Sequence, residues 1–312
     1  MKILLANPRG FCAGVDRAIE IVELALERYG PPIYVRHEIV HNRSVVESLR
    51  KKGVIFVDTP SAAPRGSVLI FSAHGVSPAV REEAAENEHR VIDATCPLVT
   101  KVHMEARRFA SAGKEIFLIG HKGHVEVEGT MGEAPTHTRL IENVEDAMEI
   151  AALDPARIAI LTQTTLSVDD TADVVDVLKR RFPEISTPKR ADICYATQNR
   201  QNAVKTLAAS CDLVIVVGSA NSSNGMRLVE TARREGAMVE RVEFASEIDP
   251  RWLADVECLG VTSGAAVPEE LVQQVVDRLA EIAGGSVEIE SMPVVDERMH
   301  FQLPSVLRRQ SA

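Results

Sequence analysis

Three of the five cysteines in this 312-residue chain stand in similar turns, each between a short apolar run and a helical pattern. They are Cys12, Cys96 and Cys194. The other two, Cys211 and Cys258, are flanked by apolar strand residues and are expected only to fill the core. Three thiolates in equivalent turns suit two kinds of centre. One is a [4Fe–4S] cluster with one iron open to a substrate, and the other is a zinc ion with one open position.

Polar residues recur at a constant distance after these three cysteines. His41, His124 and Ser223 follow them by 29, 28 and 29 residues, respectively. A further apolar run in each repeat then ends close to another polar loop, at His74, Thr164 and Ala266. Ligands of parallel sheets bind at the carboxyl ends of the strands, so nine such loops are expected to meet at one cavity.

Taken singly, the polar residues have ordinary explanations as well. A lone histidine is more often a hydrogen-bonded structural residue than a ligand contact. The run from Ser222 through Ser223 to Asn224 could be a helix N-cap, although a helix N-terminus also binds anions. Glu126 is costly beside an anion unless it delivers a proton. Thr164 is either a polar strand end or a hydroxyl in a proton relay.

Short β-branched runs alternate with amphipathic helical stretches along the chain, which predicts an α/β protein with small, mainly parallel sheets. We expect three pseudo-repeated lobes around a central cavity: residues 14–96, 97–193 and 194–283, with strand 1–13 a candidate to join the third lobe and close the ring. Residues 284–312 form a C-terminal tail. Two weaker apolar segments, Val54–Val57 and Val239–Phe244, are predicted to add strands, and residues 268–282 a helix.

Composition narrows the function classes. The chain is 45% hydrophobic and 26% charged, which is typical of globular proteins, and its net charge of −10 argues against nucleic-acid binding. Its apolar runs are too short to cross a bilayer. An odd number of widely spaced cysteines favours a reducing cytoplasm over a disulfide framework. Because the net charge is negative, any anionic ligand must be held locally, by helix N-termini and neutral donors.

Six stretches in order resemble the 4-hydroxy-3-methylbut-2-enyl diphosphate reductases of the LytB/IspH family. They are ANPRGFCAGVDRA (6–18), FSAHGV (71–76), DATCP (93–97), EVEGTMG (126–132), TQTTLSVDD (162–170) and DICYAT (192–197). The resemblance runs to about residue 280 and leaves the tail unexplained.

The resemblance implies an enzyme of the non-mevalonate isoprenoid pathway that removes the allylic hydroxyl of its diphosphate substrate with two electrons and two protons. The products would be isopentenyl and dimethylallyl diphosphate, and reduced ferredoxin or flavodoxin would supply the electrons. The [4Fe–4S] cluster would be held by Cys12, Cys96 and Cys194. Glu126, Thr164 and His124 would act at the hydroxyl. The diphosphate contacts would be His41, His74, His124, Ser222, Ser223 and Asn224, with Ala266 where the family usually has serine.

Two further departures from the family pattern stand beside Ala266. Val125 replaces the usual proline between His124 and Glu126, and Gly225 replaces the usual serine after Asn224. These put one diphosphate hydrogen bond in doubt, but neither the cluster nor the acid. The residues by themselves leave two rival classes open: a zinc-dependent hydrolase, and a non-catalytic protein that binds a phosphorylated metabolite.

Overall fold

The computed structural model describes residues 1–284 and 287–308. Within them the strands are β1 (Lys2–Leu5), β2 (Ile33–Arg36), β3 (Val54–Val57), β4 (Val68–Phe71), β5 (Arg90–Asp93), β6 (Glu115–Ile119), β7 (Thr138–Ile141), β8 (Ile158–Thr162), β9 (Leu213–Val217), β10 (Met238–Val242), β11 (Cys258–Ser263) and β12 (Glu288–Ser291). Residues 285, 286 and 309–312 of the predicted tail lie outside the described residues.

Most of the helices alternate with these strands, as the sequence predicts. The helices are α1 (Ala13–Tyr29), α2 (Arg43–Lys51), α3 (Pro78–Glu86), α4 (Pro97–Ser111), α5 (Val125–Glu133), α6 (Val144–Glu149), α7 (Val168–Arg181), α8 (Tyr195–Ala208), α9 (Ser223–Arg234) and α10 (Glu269–Ile282). Of these, α7 and α8 follow each other directly. The predicted α/β class is confirmed. No helix among the described residues has an apolar stretch sufficient to cross a membrane.

The strands form three parallel sheets, and one strand order recurs in all of them. It is β3-β2-β4 in the first, β7-β6-β8 in the second and β10-β9-β11 in the third. Every residue of β6, β8 and β9 is buried, because helices cover both faces of a parallel sheet and its strands are therefore apolar throughout. The two weaker apolar segments do form strands, β3 and β10, so that prediction is confirmed.

A fourth strand position lies beside the third strand of each repeat and leads to one of the three cysteines. In the first sheet β5 pairs with β4 and precedes Cys96. In the third sheet β1 pairs with β11 and precedes Cys12. In the second sheet this position is occupied by a bridge between Ser186 and Ala159 of β8. Each cysteine turn thus follows the carboxyl end of the same position in its sheet.

The chain divides into two compact units. The larger unit contains residues 13–40, 46–194 and 300–312, and holds the first two sheets; the smaller contains residues 1–12, 41–45 and 195–299, and holds the third. The three-lobe boundaries and their arrangement around a cavity stay predictions. The tail is not a single element: β12 pairs with β1 in the smaller unit, whereas Leu307 is buried in the larger one.

The core of the smaller unit illustrates how sequence pattern sets packing. The prediction of a helix over residues 268–282 is confirmed by α10, whose Leu271, Val275 and Leu279 are buried. These side chains recur every four residues, so they share one face of the helix. They pack in one cluster with the apolar side chains of β9 and β11. This packing holds the carboxyl ends of the strands, where the candidate site residues stand.

Candidate active site

Each of the three predicted ligand cysteines stands at the start of a helix. Cys12 directly precedes α1, Cys96 is the N-cap of α4, and Cys194 directly precedes α8. A helix N-terminus carries partial positive charge and therefore favours an anion such as a thiolate. All three residues are half-buried. Their backbone amides are fixed by carbonyls of equivalent loops in the three repeats: Cys12 by Ala265 (3.1 Å), Cys96 by Ala73 (2.9 Å) and Cys194 by Thr164 (3.0 Å).

Glu126 is the buried acid of the larger unit. Its side chain is only 2% exposed, although it lies in the first turn of α5. Thr164 holds both carboxylate oxygens: its backbone N–H donates to Oε1 (2.6 Å) and its hydroxyl donates to Oε2 (2.9 Å). Since the carbonyl of Thr164 also accepts from the amide of Cys194, one residue connects the acid to a cysteine turn.

Burial raises the pKa of Glu126 from its usual 4.5 to about 7. The two hydrogen bonds from Thr164 favour the charged form and lower this pKa, whereas the charge of Asp192 raises it. Removal from water is the main cause of the raised pKa, ahead of any neighbouring charge. A carboxyl group with this pKa is present in both protonation states near neutral pH, as a proton donor requires.

His124 stands next to the acid, and His74 contacts His124. His124 is the N-cap of α5, where its Nδ1 accepts a hydrogen bond from the backbone N–H of Glu126 (3.2 Å). With Nδ1 as the acceptor, the neutral ring carries its proton on Nε2, which can donate to an anion. The ring of His74 meets that of His124 edge-on, with centroids 6.0 Å apart, and its Nδ1 lies 3.2 Å from the Ser72 hydroxyl. The larger unit therefore brings together Cys194, Thr164, Glu126, His124 and His74.

The smaller unit places neutral donors at the start of α9. Ser222 is the N-cap, and its hydroxyl accepts from the backbone N–H of Gly225 (3.3 Å). Asn224 is 6% exposed and bonds inside the unit: its Oδ1 accepts from the backbone N–H of Ala265 (2.8 Å) and its Nδ2 donates to the Thr197 hydroxyl (3.2 Å). Asn224 thereby positions the loop whose carbonyl binds the amide of Cys12.

The remaining predicted residues of the smaller unit are connected to this helix start. Some are its neighbours in the chain, and others belong to segments that are hydrogen-bonded to this region. Ser223 is the first residue of α9, and half-buried Ala266 follows Ala265. His41 belongs to the short segment 41–45, which is joined to the same region because the backbone N–H of Arg43 donates to the Ser219 hydroxyl (3.2 Å). A Cβ atom added at Gly225 would make only ordinary van der Waals contacts, so packing at that atom does not require glycine.

The predicted site residues are thus divided between the units. Cys96, Cys194, His74, His124, Glu126 and Thr164 belong to the larger one, and Cys12, His41, Ser222, Ser223, Asn224 and Ala266 to the smaller. That the two sets share one cavity stays a prediction. Among the described residues, no three His, Cys, Asp or Glu side chains are placed to hold a single metal ion. Cysteine thiolates are the usual ligands of iron–sulfur clusters, and a [4Fe–4S] cluster on Cys12, Cys96 and Cys194 stays a prediction.

Cys211 and Cys258 are packed differently. Their Sγ atoms lie 3.1 Å apart at the start of β9 and β11, and no disulfide joins any of the five cysteines, all of which are described. Burial, and to a lesser extent the neighbouring Cys258, raises the pKa of Cys211 to about 12. This thiol therefore stays protonated at neutral pH, consistent with a packing role.

Four charged residues next to the cysteine turns were missed by the sequence reasoning. Arg17, Lys101 and Arg200 donate hydrogen bonds to backbone carbonyls preceding a cysteine, and Asp192 accepts from Lys101. A signal was present, since each cation follows one of the three cysteines by five or six residues. It was overlooked because basic residues on helices are usually solvated.

The chain is similar to known proteins along nearly its whole length. The model of the LytB protein family matches residues 3–280, nearly the whole described chain. The chain belongs to the LytB family. The resemblance found in the six sequence stretches is therefore confirmed.

Relatives of this LytB chain are similar over their full length. The 4-hydroxy-3-methylbut-2-enyl diphosphate reductase of Bordetella pertussis is 58% identical over 311 residues, covering 100% of this chain and 95% of the relative. The enzyme of the same name from Klebsiella pneumoniae is 56% identical, covering 99% and 98%. This chain is accordingly an enzyme of the oxidoreductase class.

A solved structure of a family member has the same fold. The E-1-hydroxy-2-methyl-but-2-enyl-4-diphosphate reductase of Plasmodium falciparum superposes with a TM-score of 0.95 at 41% identity, covering 98% of this chain and 96% of the other. The fold class predicted from alternating strands and helices thus agrees with an independently solved relative.

Proposed function

We propose that this LytB chain reduces 4-hydroxy-3-methylbut-2-enyl diphosphate as the last step of the non-mevalonate pathway. The allylic alcohol takes up two electrons and two protons, loses its hydroxyl oxygen as water, and gives isopentenyl and dimethylallyl diphosphate. The names of the relatives support the substrate, and a second solved structure, 32% identical over 90% of this chain, is described as the terminal enzyme of that pathway. The observation that carries the proposal is the buried Glu126–Thr164 pair.

The pair provides what removal of a hydroxyl needs. Hydroxide is a poor leaving group, so the departing oxygen must receive a proton. When Glu126 is protonated, its Oε2–H donates to the Thr164 hydroxyl, which then turns its own hydrogen toward the next acceptor. The 2.9 Å contact thereby becomes the first link of a relay from the carboxyl group to the substrate oxygen. His124, whose Nδ1 is occupied, would contribute Nε2–H beside this relay.

A [4Fe–4S] cluster on Cys12, Cys96 and Cys194 would supply electron transfer and a Lewis-acidic iron. Electrons would come from reduced ferredoxin or flavodoxin. The diphosphate would be held by His41, His74 and His124 and by the start of α9, at Ser222, Ser223 and Asn224, with Ala266 adjacent. Helix N-termini and neutral donors suit this task, because the chain carries a net charge of −10 and offers no general positive field.

Anaerobic purification tests the proposal directly. We expect a brown protein with about four iron and four sulfide per chain, which turns over the allylic diphosphate with a one-electron reductant to both isoprenoid diphosphates, detected by mass spectrometry. A colourless protein that contains zinc, or one that releases phosphate from the substrate, would contradict it.

A further inference from the structure

The first of the three overlooked cations lies on α1. Arg17 stands five residues after Cys12, yet its Nη1 donates to the carbonyls of Ala94 (3.3 Å) and Thr95 (3.1 Å), directly before Cys96. Its Nε donates to the carbonyl of Gln302 (2.8 Å). Burial lowers the pKa of Arg17, while the nearby Cys96 raises it, so the guanidinium lies within the electrostatic reach of that cysteine.

The second cation repeats this arrangement one step along the chain. Lys101 stands on α4, five residues after Cys96, and its Nζ donates to the carbonyls of Arg190 (2.6 Å) and Ala191 (3.2 Å), in the segment that leads to Cys194. The same Nζ pairs with Oδ1 of Asp192 (2.6 Å), whose side chain is only 1% exposed.

Asp192 extends this contact to the catalytic relay. Its Oδ2 accepts from the backbone N–H of Thr162 (3.0 Å), at the end of β8 and two residues before Thr164. The turn before Cys194 is therefore tied on one side to α4 and on the other to the strand that leads to the relay residue. An ion pair with one partner buried is costly unless both of its charges are satisfied, and here the carboxylate accepts two hydrogen bonds.

The third cation completes the pattern. Arg200 stands on α8, six residues after Cys194, and is fully buried. Its Nη2 donates to the carbonyl of Gly10 (2.8 Å), two residues before Cys12, and its Nη1 donates to the carbonyl of Ala196 (3.1 Å). The backbone N–H of Gly10 in turn donates to the buried Ser263 hydroxyl (2.9 Å).

Along the chain these contacts are cyclic. The helix after the first cysteine holds the turn of the second, the helix after the second holds the turn of the third, and the helix after the third holds the turn of the first. The donors are in each case cationic N–H groups, whose hydrogen bonds are about twice as strong as neutral ones. The backbone amide of each cysteine is hydrogen-bonded as well. Each turn is therefore held at the amide of its cysteine and at a carbonyl that precedes the cysteine.

We propose that Arg17, Lys101 and Arg200 are positioning residues that hold the three cysteine turns in their binding conformation before a cluster arrives. This proposal rests on the proposed function only for the identity of the group that the turns receive. Without such contacts, cluster binding would have to order three separate turns, and the entropy cost of this ordering would weaken the binding. Preorganised turns should therefore take up the cluster more readily and release it more slowly.

Amide hydrogen exchange of the full-length chain tests the contacts without relying on a cluster. In the cluster-free protein, Arg17→Met should speed exchange in residues 94–96 about tenfold, the scale of one lost charged hydrogen bond, and leave residues 190–194 near the wild-type rate. Lys101→Met should do the reverse. A general loss of stability would speed both segments alike, so this crossed pattern separates local positioning from a merely structural role.

Matched variants sharpen the measurement. Arg65→Met removes a salt bridge that is exposed on both sides, to Glu88 in the same unit, and should change neither segment. Arg17→Lys retains one cationic donor and should restore part of the protection. For the buried third position, Arg200→Lys keeps the charge but loses one of the two N–H arms, and should speed exchange in residues 9–12 while the chain stays folded.

The cluster-loaded protein provides the second readout, the rate at which iron passes to a chelator. We expect release several-fold faster in Arg17→Met and Lys101→Met than in Arg65→Met. Unchanged exchange in a variant's own turn overturns the proposal, and so does faster exchange with unchanged iron release. If the wild-type chain takes up no iron, the proposed function falls, whereas the exchange pattern still decides whether the three cations hold the turns.

Discussion

The two units contain different kinds of candidate site residues. The larger unit buries the carboxyl group of Glu126, which raises its pKa to about 7 although the two hydrogen bonds from Thr164 lower it. The smaller unit contributes hydroxyl and amide groups at the start of α9, which need no change of protonation to bind an anion. In the proposed function, proton delivery therefore depends on burial in the larger unit, whereas the diphosphate is bound by the start of α9 in the smaller unit and by His74 and His124 in the larger.

The largest expected effect concerns the cysteines, which both units contribute. Serine at Cys194 in the larger unit, or at Cys12 in the smaller, should abolish cluster content and turnover, because an oxygen ligand is a poor substitute for thiolate on iron. Cys211→Ser should keep both. Iron and sulfide per chain, with an anaerobic spectrum, measure this. A colourless Cys211 variant or an active Cys194 variant would overturn the assignment.

The second-largest expected effect comes from a substitution that removes the acid and leaves the proposed diphosphate contacts unchanged. Glu126→Gln keeps the shape but cannot donate a usable proton, so turnover should fall by two or more orders of magnitude, while cluster content and substrate affinity persist. Glu128→Gln, on the exposed side of the same helix, is the matched control and should remain active. Near-normal turnover of the Glu126 variant would move the proton source elsewhere, with His124 the next candidate.

The Glu126→Gln substitution also tests, through the pH dependence of protein stability, whether burial raises the pKa of Glu126. Since the folded pKa of about 7 exceeds the usual 4.5, the protonated carboxyl stabilises the folded chain below pH 4.5, and this contribution is lost as pH rises through 7. Glutamine does not titrate, so the unfolding free energy of Glu126→Gln should rise relative to that of the wild type as the pH increases from 4.5 through 7, by up to about 3 kcal/mol. Denaturant unfolding of the substrate-free protein at pH 5 and 8 measures the difference; an equal difference at both values would contradict it.

The smallest expected effect lies in the anion site of the smaller unit. Ala266 is half-buried, and Ala266→Ser would add one hydroxyl donor for the diphosphate, tightening substrate binding about threefold and leaving the maximal rate nearly unchanged. The gain is small because a water or backbone N–H can already serve the same oxygen. Ala266→Val, which adds bulk without a donor, separates the hydroxyl from its size. Weaker binding in the serine variant would show that residue 266 packs against the protein instead of facing the substrate.

Much of the fold could be predicted because its signals are local. The apolar segment Val54–Val57 forms β3 with the predicted bounds, while Val239–Phe244 forms β10, shifted to Met238–Val242 by pairing with β9. Strand order was less accessible. The recurrence of one order in three sheets depends on pairings between segments far apart in the chain, and periodicity does not encode them.

What the sequence by itself indicated is the set of candidate groups: three cysteines in turns that precede helices, and Glu126 two residues after His124. Composition and repeat spacing are enough for this, because turn residues and helix starts depend on neighbours in the chain. Only the tertiary structure decided how Glu126 becomes 2% exposed and which carbonyls Arg17, Lys101 and Arg200 bind. Burial and these hydrogen bonds join residues dozens of positions apart, so the pKa of the acid and the fixing of the cysteine turns arise only on folding.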